Sequence, residues 1–165
     1  MYAIKNKFEQ LKRIEVKKGQ ILQKEGDLNS RVYHVESGLL RSYSIDENGK
    51  EHIFMFAPEN WLIGDGVLKD EPCQLFIDVL EDSVIIPIDK NDDILSNSIK
   101  LIKRVQVLQN RIIKLMSVSA IKRYEEFIET YPDISQRVPQ KMIASYLGIT
   151  PEALSRVRKE ISLRK

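Results

Sequence analysis

Two hydrophobic periods divide the chain. Short β-rich runs occupy residues 14–16, 21–23, 31–36, 39–45, 51–56, 75–80 and 83–88, several with apolar and polar positions alternating, the period of half-buried strands. Their separators are Lys18-Gly19, Gly26-Asp27, Ser37-Gly38, Asn48-Gly49, Pro58 and Asp82. Asn48-Gly49 between two such runs is the strongest hairpin signal of the set. Closely spaced strands with glycine at most corners predict a small antiparallel roll or barrel rather than a parallel sheet. In Trp61-Leu-Ile-Gly-Asp-Gly66 two glycines interrupt the pattern, either to permit a sharp bend or to let backbone approach a bound molecule. A helical period precedes these runs, with Ile4, Phe8 and Leu11 on one face.

From about Ile94 the period is helical again. Ile94, Ser98, Leu101, Val105, Leu108, Ile112 and Leu115 recur at alternating steps of four and three, the a and d positions of a coiled coil. Ile102, Gln109, Ile113 and Met116 form a second stripe beside the first, so this helix needs two partners. The first stripe predicts a parallel homodimer through Leu101, Val105, Leu108, Ile112 and Leu115. Ser117-Val118-Ser119 breaks the helix and reads as a hinge, with Ser119 capping a next helix that carries Ile121, Tyr124, Phe127 and Ile128 on one face. Tyr131-Pro132 ends that helix.

Residues 139–161 then hold two short apolar sets around a glycine: Ile143, Ala144 and Leu147, then Gly148, then Ile149, Leu154 and Val157. Ala144 is small where two helices would cross, and Gly148 suits a turn that needs positive φ. Thr150 is a good N-cap, Pro151 suits the first helical position, and Glu152 complements the positive end of the helix dipole. With Leu154 and Val157 turned inward, Glu152, Ser155, Arg156 and Lys159 face outward. Such side chains match base edges and phosphates, so the pair reads as a DNA-binding helix-turn-helix.

Charge supports the division. Residues 1–97 hold 12 Lys+Arg against 18 Asp+Glu, a net of −6, whereas residues 98–165 hold 14 against 6, a net of +8. The basic half is the one that carries the helix-turn-helix, as a polyanion partner requires. Composition, with 42% hydrophobic and 30% charged residues, is that of a globular protein. No run has the length of a membrane span or the form of a signal peptide, and a cytoplasmic location with no membrane partner is expected. Cys73 is the single cysteine, so these residues offer neither an intrachain disulfide nor a cysteine-rich metal or iron–sulfur site. No nucleophile–base pair, P-loop or other catalytic motif is present, and neither enzymatic activity nor a cofactor is expected.

A β-roll with a glycine-marked loop, then a dimerising helix, then a basic helix-turn-helix resembles the Crp/Fnr superfamily of bacterial transcription regulators. The most specific parts are Ala144, Gly148 and Thr150-Pro-Glu-Ala-Leu-Ser-Arg-Val157, with Gly26, Gly38, Gly64 and Asn48-Gly49 in support. The resemblance implies an α+β fold: an N-terminal antiparallel β-roll (a double-stranded β-helix of the cyclic-nucleotide-binding kind) over residues 1–93, a dimerisation helix over 94–118 and a helix-turn-helix over 119–165. It implies a homodimer on a palindromic operator in double-stranded DNA, with RNA polymerase and a small effector as further partners. Base reading falls to Glu152 and Arg156, and Pro151 stands where cyclic-AMP-responsive members have a further base-contacting Arg. The DNA-contacting set is expected to be Gln140, Lys141, Thr150, Glu152, Ser155, Arg156, Arg158 and Lys159. Such regulators add a two-stranded wing after the recognition helix, here expected to be dispensable or truncated, with Arg164 and Lys165 joining the phosphate anchors.

Nucleotide-binding relatives hold ribose with a Gly-Glu pair and phosphate with an Arg-Ser or Arg-Thr pair; here Gly64-Asp65 and Cys73-Gln74 stand in those places. Residues 72–89 contain no Lys or Arg, and a buried phosphate without a cation is strongly penalised. The effector pocket expected from Ile63, Gly64, Asp65, Gly66, Cys73 and Gln74 therefore takes a ligand other than a cyclic nucleotide, or none. Two alternatives remain. One is a cyclic-nucleotide sensor whose phosphate is met by Arg31, Arg41 or Lys69. The other is a cupin-like metalloenzyme with His34, Glu36 and His52 as ligands; haem ligation would fall to the same two histidines.

Overall fold

The computed structural model describes residues 11–68, 70–90 and 98–164, with backbone alone for 98–106. The helical pattern of Ile4 and Phe8 and the start of the long helix at Ile94 lie outside them. The chain forms two compact units, Met1–Ser96 and Asn97–Lys165.

The first unit is an antiparallel roll. Its strands are β1 (Ile14–Val16), β2 (Ile21–Gln23), β3 (Arg31–Ile45), β4 (Glu51–Ala57), β5 (Leu62–Gly64) and β6 (Phe76–Asp89). They pair in the order β1-β6-β3-β4, with β2 also on β6 and β5 also on β3. Burial follows the alternation. Ile77, Val79 and Ile85 of β6 join Val35, Leu40, Met55 and Ile63 in the main core, whereas Ile86 and Ile88 belong to a smaller cluster with Leu11 and Val32. The phase therefore changes between Ile85 and Ile86, so one strand serves two clusters.

The sequence pattern predicts four runs where the roll has two long strands. Residues 31–36 and 39–45 are halves of β3, and 75–80 and 83–88 are halves of β6. Ser37-Gly38 and Asp82 are not turns: they face each other across a ladder whose register shifts three times between Val35 and Leu40. Such bulges bend paired strands without ending them. Gly38 has φ +92°, and a Cβ there would lie 2.1 Å from Ser83 Oγ and 2.7 Å from Asp82 O. The second difference is β5, which sits inside the expected loop 61–66. Gly64 pairs with Val32, and a Cβ on it would meet Val32 Cγ2 at 3.0 Å, so this glycine permits close strand approach.

Arg41, 5% exposed, is the roll's buried cation among the described residues. It donates to Asp78 Oδ1 at 2.8 Å, to Asp78 Oδ2 at 2.9 Å and to Glu51 Oε2 at 2.5 Å, and stacks over Tyr43 at 4.1 Å. Burial alone would favour the neutral guanidine, but the two carboxylates reverse this and raise its pKa.

The second unit contains α1 (Ser98–Ser117), α2 (Ala120–Thr130), the single turn α3 (Ile134–Arg137), α4 (Gln140–Leu147) and α5 (Pro151–Ser162). Ser119 caps α2 by accepting from Lys122 N, and α2 ends at Thr130 before Pro132, both as the sequence predicts. The hydrophobic pattern gives no sign of the turn α3; Ile134, 1% exposed, anchors it. An aromatic group binds the unit together: Phe127 lies 5.3 Å from both Tyr131 and Tyr146, and Tyr131 meets Tyr146 edge-on at 5.7 Å.

Gly38→Ala should lower roll stability by about 3 kcal/mol or more, since positive φ and a backbone clash act together. Gly49→Ala, where φ is +75° but no atom lies within 4 Å, should cost only about 1 kcal/mol. Urea unfolding midpoints of the two variants check the order; equal midpoints would contradict the close approach at Ser83.

Candidate nucleic-acid interface and effector loop

The helix-turn-helix is set by its turn. At Gly148 (φ 67°, ψ 35°) the chain goes left-handed, Ile149 N donates to Ala144 O at 3.0 Å and Gly148 N to Ser145 O at 3.1 Å. Those two bonds are a Schellman C-cap and satisfy carbonyls that the end of α4 would leave open. Two residues later Thr150, extended at φ −81° and ψ 157°, accepts from Ala153 N at 3.2 Å and starts α5, with Pro151 at its first position. Ile143, Ala144 and Leu147 of α4 and Leu154 and Val157 of α5 are buried at the crossing.

That burial dictates what α5 exposes. Glu152, Ser155, Arg156, Arg158 and Lys159 are all exposed, as are Gln140, Lys141 and Thr150. Glu152, Ser155, Arg156 and Lys159 fall within about 100° of arc opposite the buried pair, and Arg158 lies on the flank. The Glu152 carboxyl is held below its usual range, first by its own backbone N–H and by the Thr150 hydroxyl, with Arg156 adding to this. No ion pair is found for Arg156, Arg158 or Lys159 among the described residues. Arg164 is different: it pairs with Glu160 at 2.6 Å. Lys165 lies outside the described residues.

The expected hinge at Ser117-Val118-Ser119 is braced. Arg123 Nη1 donates to Leu115 O at 2.9 Å and to Val118 O at 3.1 Å, placing a cation on the carbonyl end of α1. Lys114 pairs with Glu126 at 2.8 Å, and Arg111 stacks 4.2 Å over Tyr146. These contacts are made by polar side chains, from five to 35 residues from the groups they hold, so hydrophobic spacing gave no signal of them. The expected dimer stripe is uncovered where its side chains are described: Ile112 is 58% and Leu115 40% exposed, and Leu108 is half-buried. Leu101 and Val105 have no described side chains. Ile113 and Met116 of the second stripe are exposed too.

In the roll, the expected effector residues lie at the end of β5 (Ile63 and Gly64) and in the segment between β5 and β6 (Asp65, Gly66, Cys73 and Gln74). Ile63 and Cys73 are buried, and Gly66 and Gln74 are exposed. Asp65 accepts from Gln74 N at 2.6 Å and Leu75 N at 2.8 Å. Burial pushes the Cys73 thiol up. Lys90, one residue beyond the cation-free window, is a cation at this loop that sequence spacing does not bring there. Its ammonium donates to Val67 O and Ser30 Oγ, and burial lowers its pKa. The cations named for a phosphate are otherwise engaged: Arg31 pairs with Asp89 at 2.9 Å and Arg41 with Asp78 and Glu51, while Lys69 lies outside the described residues. The metal set does not assemble. Glu36 pairs with Arg13 at 2.8 Å and His52 lies 2.8 Å from Asp46. Burial lowers the His34 pKa.

The chain is thus a bent antiparallel roll followed by a helical unit that ends in a capped helix-turn-helix. Residues 13–94 match the model of the cyclic nucleotide-binding domain family. The chain is 29% identical over 166 residues to the anaerobic regulatory protein of Haemophilus influenzae, covering 86% of this chain and 63% of that one. It is 30% identical over 166 residues to the fumarate and nitrate reduction regulatory protein of Yersinia pestis, covering 86% and 65%. Among solved structures, FixK2 from Bradyrhizobium japonicum superposes with TM-score 0.76 at 17% identity, over 93% of this chain and 85% of that one. A transcriptional regulator of the CRP/FNR family from Thermus thermophilus gives 0.73 at 18%, over 93% and 87%. The sequence relatives and the matched domain model support placing the chain in the Crp/Fnr superfamily. The chain spans less than two thirds of the length of the Haemophilus relative.

Thr150→Ala should destabilise the helical unit by about 1 kcal/mol, and Thr150→Ser should restore most of that. Thermal unfolding followed by helical circular dichroism reads the difference; an Ala variant as stable as the parent would mean that α5 does not depend on this cap.

Proposed function

We propose that this chain is a dimeric DNA-binding transcription regulator in which α5 enters the major groove of a palindromic operator. The observation that carries the reading is the exposed face of Glu152, Ser155, Arg156 and Lys159 on a helix whose start and opposite face are fixed by Thr150, Leu154 and Val157. Arg156 suits bidentate contact to guanine and Glu152 suits a cytosine amine. Gln140, Lys141 and Arg158 flank them as backbone contacts. The relatives' printed roles, anaerobic regulation and fumarate and nitrate reduction regulation, support the same class.

The dimer reading is supported by the apolar side chains that α1 leaves exposed, Val107, Ile112, Ile113, Leu115 and Met116. Their burial against a second copy would supply the association energy, at about 25 cal/mol for each Å² covered. A two-fold pair would set two recognition helices about 34 Å apart, one turn of DNA. RNA polymerase is then the natural further partner at a promoter. The roll acts as a scaffold or takes an effector other than a cyclic nucleotide, because its arginines already hold carboxylates.

The operator is obtained first, by selecting bound fragments of genomic DNA with the purified chain. Arg156→Ala should then lose about 1 to 3 kcal/mol of operator affinity and relax one base position, whereas Lys141→Ala should weaken all sequences alike and reduce the salt slope by about one. Fluorescence anisotropy over a salt series reads both; an Arg156→Ala protein with unchanged affinity and specificity would refute the assignment.

Ile112→Asp should convert the dimer to monomer and abolish tight operator binding, because a carboxylate would be buried without a partner. Sedimentation velocity supplies the readout, and a variant that sediments as a dimer would exclude this face as the interface.

A further inference from the structure

The loop joining β5 to β6 carries an anion of its own. Asp65 is only 8% exposed. Its Oδ2 accepts from the successive backbone N–H groups of Gln74 at 2.6 Å and Leu75 at 2.8 Å, and its Oδ1 accepts from Val67 N at 3.3 Å. Convergent backbone donors of this kind form a concavity suited to an anion. Lys90 borders it, bonded to Val67 O, and the Asp65 charge acts on the ammonium to favour its protonated form. The far end of the loop is tied to the preceding turn, with Gly26 N donating to Cys73 O at 2.8 Å and Cys73 N to Asp27 O at 2.9 Å. A carboxylate this buried is tolerable only because donors meet it, and those donors would be costly to bury without it.

We propose that Asp65 is a resident anion: the loop is an anion-binding site that the chain fills with its own side chain, so the roll holds a loaded-loop conformation with no external ligand. A tethered carboxylate competes at the high effective concentration of an intramolecular group, so free anions are excluded from the natural protein. Removing the side chain opens a site for a small carboxylate or phosphate. The proposal concerns the roll alone and does not depend on the DNA-binding assignment.

The test uses the full chain, its Asp65→Ala and Asp65→Asn variants, and thermal unfolding in sodium formate, sodium phosphate or sodium chloride at matched ionic strength. Both variants should melt lower than the parent, by roughly 5 to 10 °C for Asp65→Ala. Tens of millimolar formate or phosphate should raise the Asp65→Ala midpoint toward the parent value, while chloride should not, and neither anion should move the parent. Rescue by formate or by phosphate supports the site and reports which anion geometry it takes. Equal behaviour of Asp65→Ala in all three salts overturns the proposal, as does a parent protein stabilised by formate as much as the variant is. Should Asp65→Ala fail to fold, Asp65→Asn decides: a midpoint equal to the parent's would show that the negative charge is not what holds the loop.

Discussion

The left-handed turn at Gly148 and the Thr150 cap two residues later determine what the helical unit can do. Together they end α4 and start α5 within three residues, and so fix the rotation of α5 about its axis. Rotation is the quantity that matters, because the helix turns about 100° per residue. A start displaced by one residue would carry Arg156 to the flank and bring Val157 toward solvent. Leu154 and Val157 secure the same rotation from the other side, since Leu154 is fully buried and Val157 nearly so. Capping chemistry and core packing thus specify one orientation independently.

The brace behind this turn extends the argument to α1. Arg123 holds the carbonyls at the end of α1, Lys114 holds Glu126, and Arg111 lies over Tyr146 of α4. A Cβ on Gly148 would touch Leu115 at 3.4 Å, so the last turns of α1 reach the helix-turn-helix at its tightest point. An exposed ion pair such as Lys114–Glu126 contributes little alone. Arg123 contributes more, because it meets carbonyls that have no intrahelical partner. The last turns of α1 are therefore tied to α2 and α4 through Arg123, Lys114 and Arg111, and the Arg123 side chain bridges the break at Ser117–Ser119.

Legibility in the sequence followed the range of the interaction. Elements set by neighbours in the chain were readable: the Asn48-Gly49 hairpin, where Asp46 accepts from Asn48 N and Lys50 N, the Ser119 and Thr150 caps, and the Gly148 turn. What depends on distant partners was not. Gly38 and Asp82 look like turn residues because bulges and turns use the same chemistry, and only the pairing of β3 with β6 distinguishes them. The short strand β5 is hidden because Gly64 and Gly66 read as a loop, and only its pairing with β3 makes Leu62–Gly64 a strand. The exposed face of α5 followed from helical spacing alone, whereas Lys90 and the Asp65 bonds needed the loop to be folded before they could meet.

The three arginines of the roll and those of α5 make the final contrast. Arg13 holds Glu36, Arg31 holds Asp89, and Arg41 holds Asp78 and Glu51. Each guanidinium already has a carboxylate in its fork, and a phosphate could enter only by displacing one. Arg41 makes that exchange hardest, because losing a partner would leave charge buried. On α5, Arg156 and Arg158 are exposed and meet no acid in an ion pair among the described residues, even though Glu152 and Glu160 share their helix. The acidic half of the chain thus neutralises its own arginines, whereas in the basic half Arg156 and Arg158 meet no carboxylate among the described residues. A polyanion that met both units would find guanidinium forks free of carboxylates on α5 and none among the arginines of the roll.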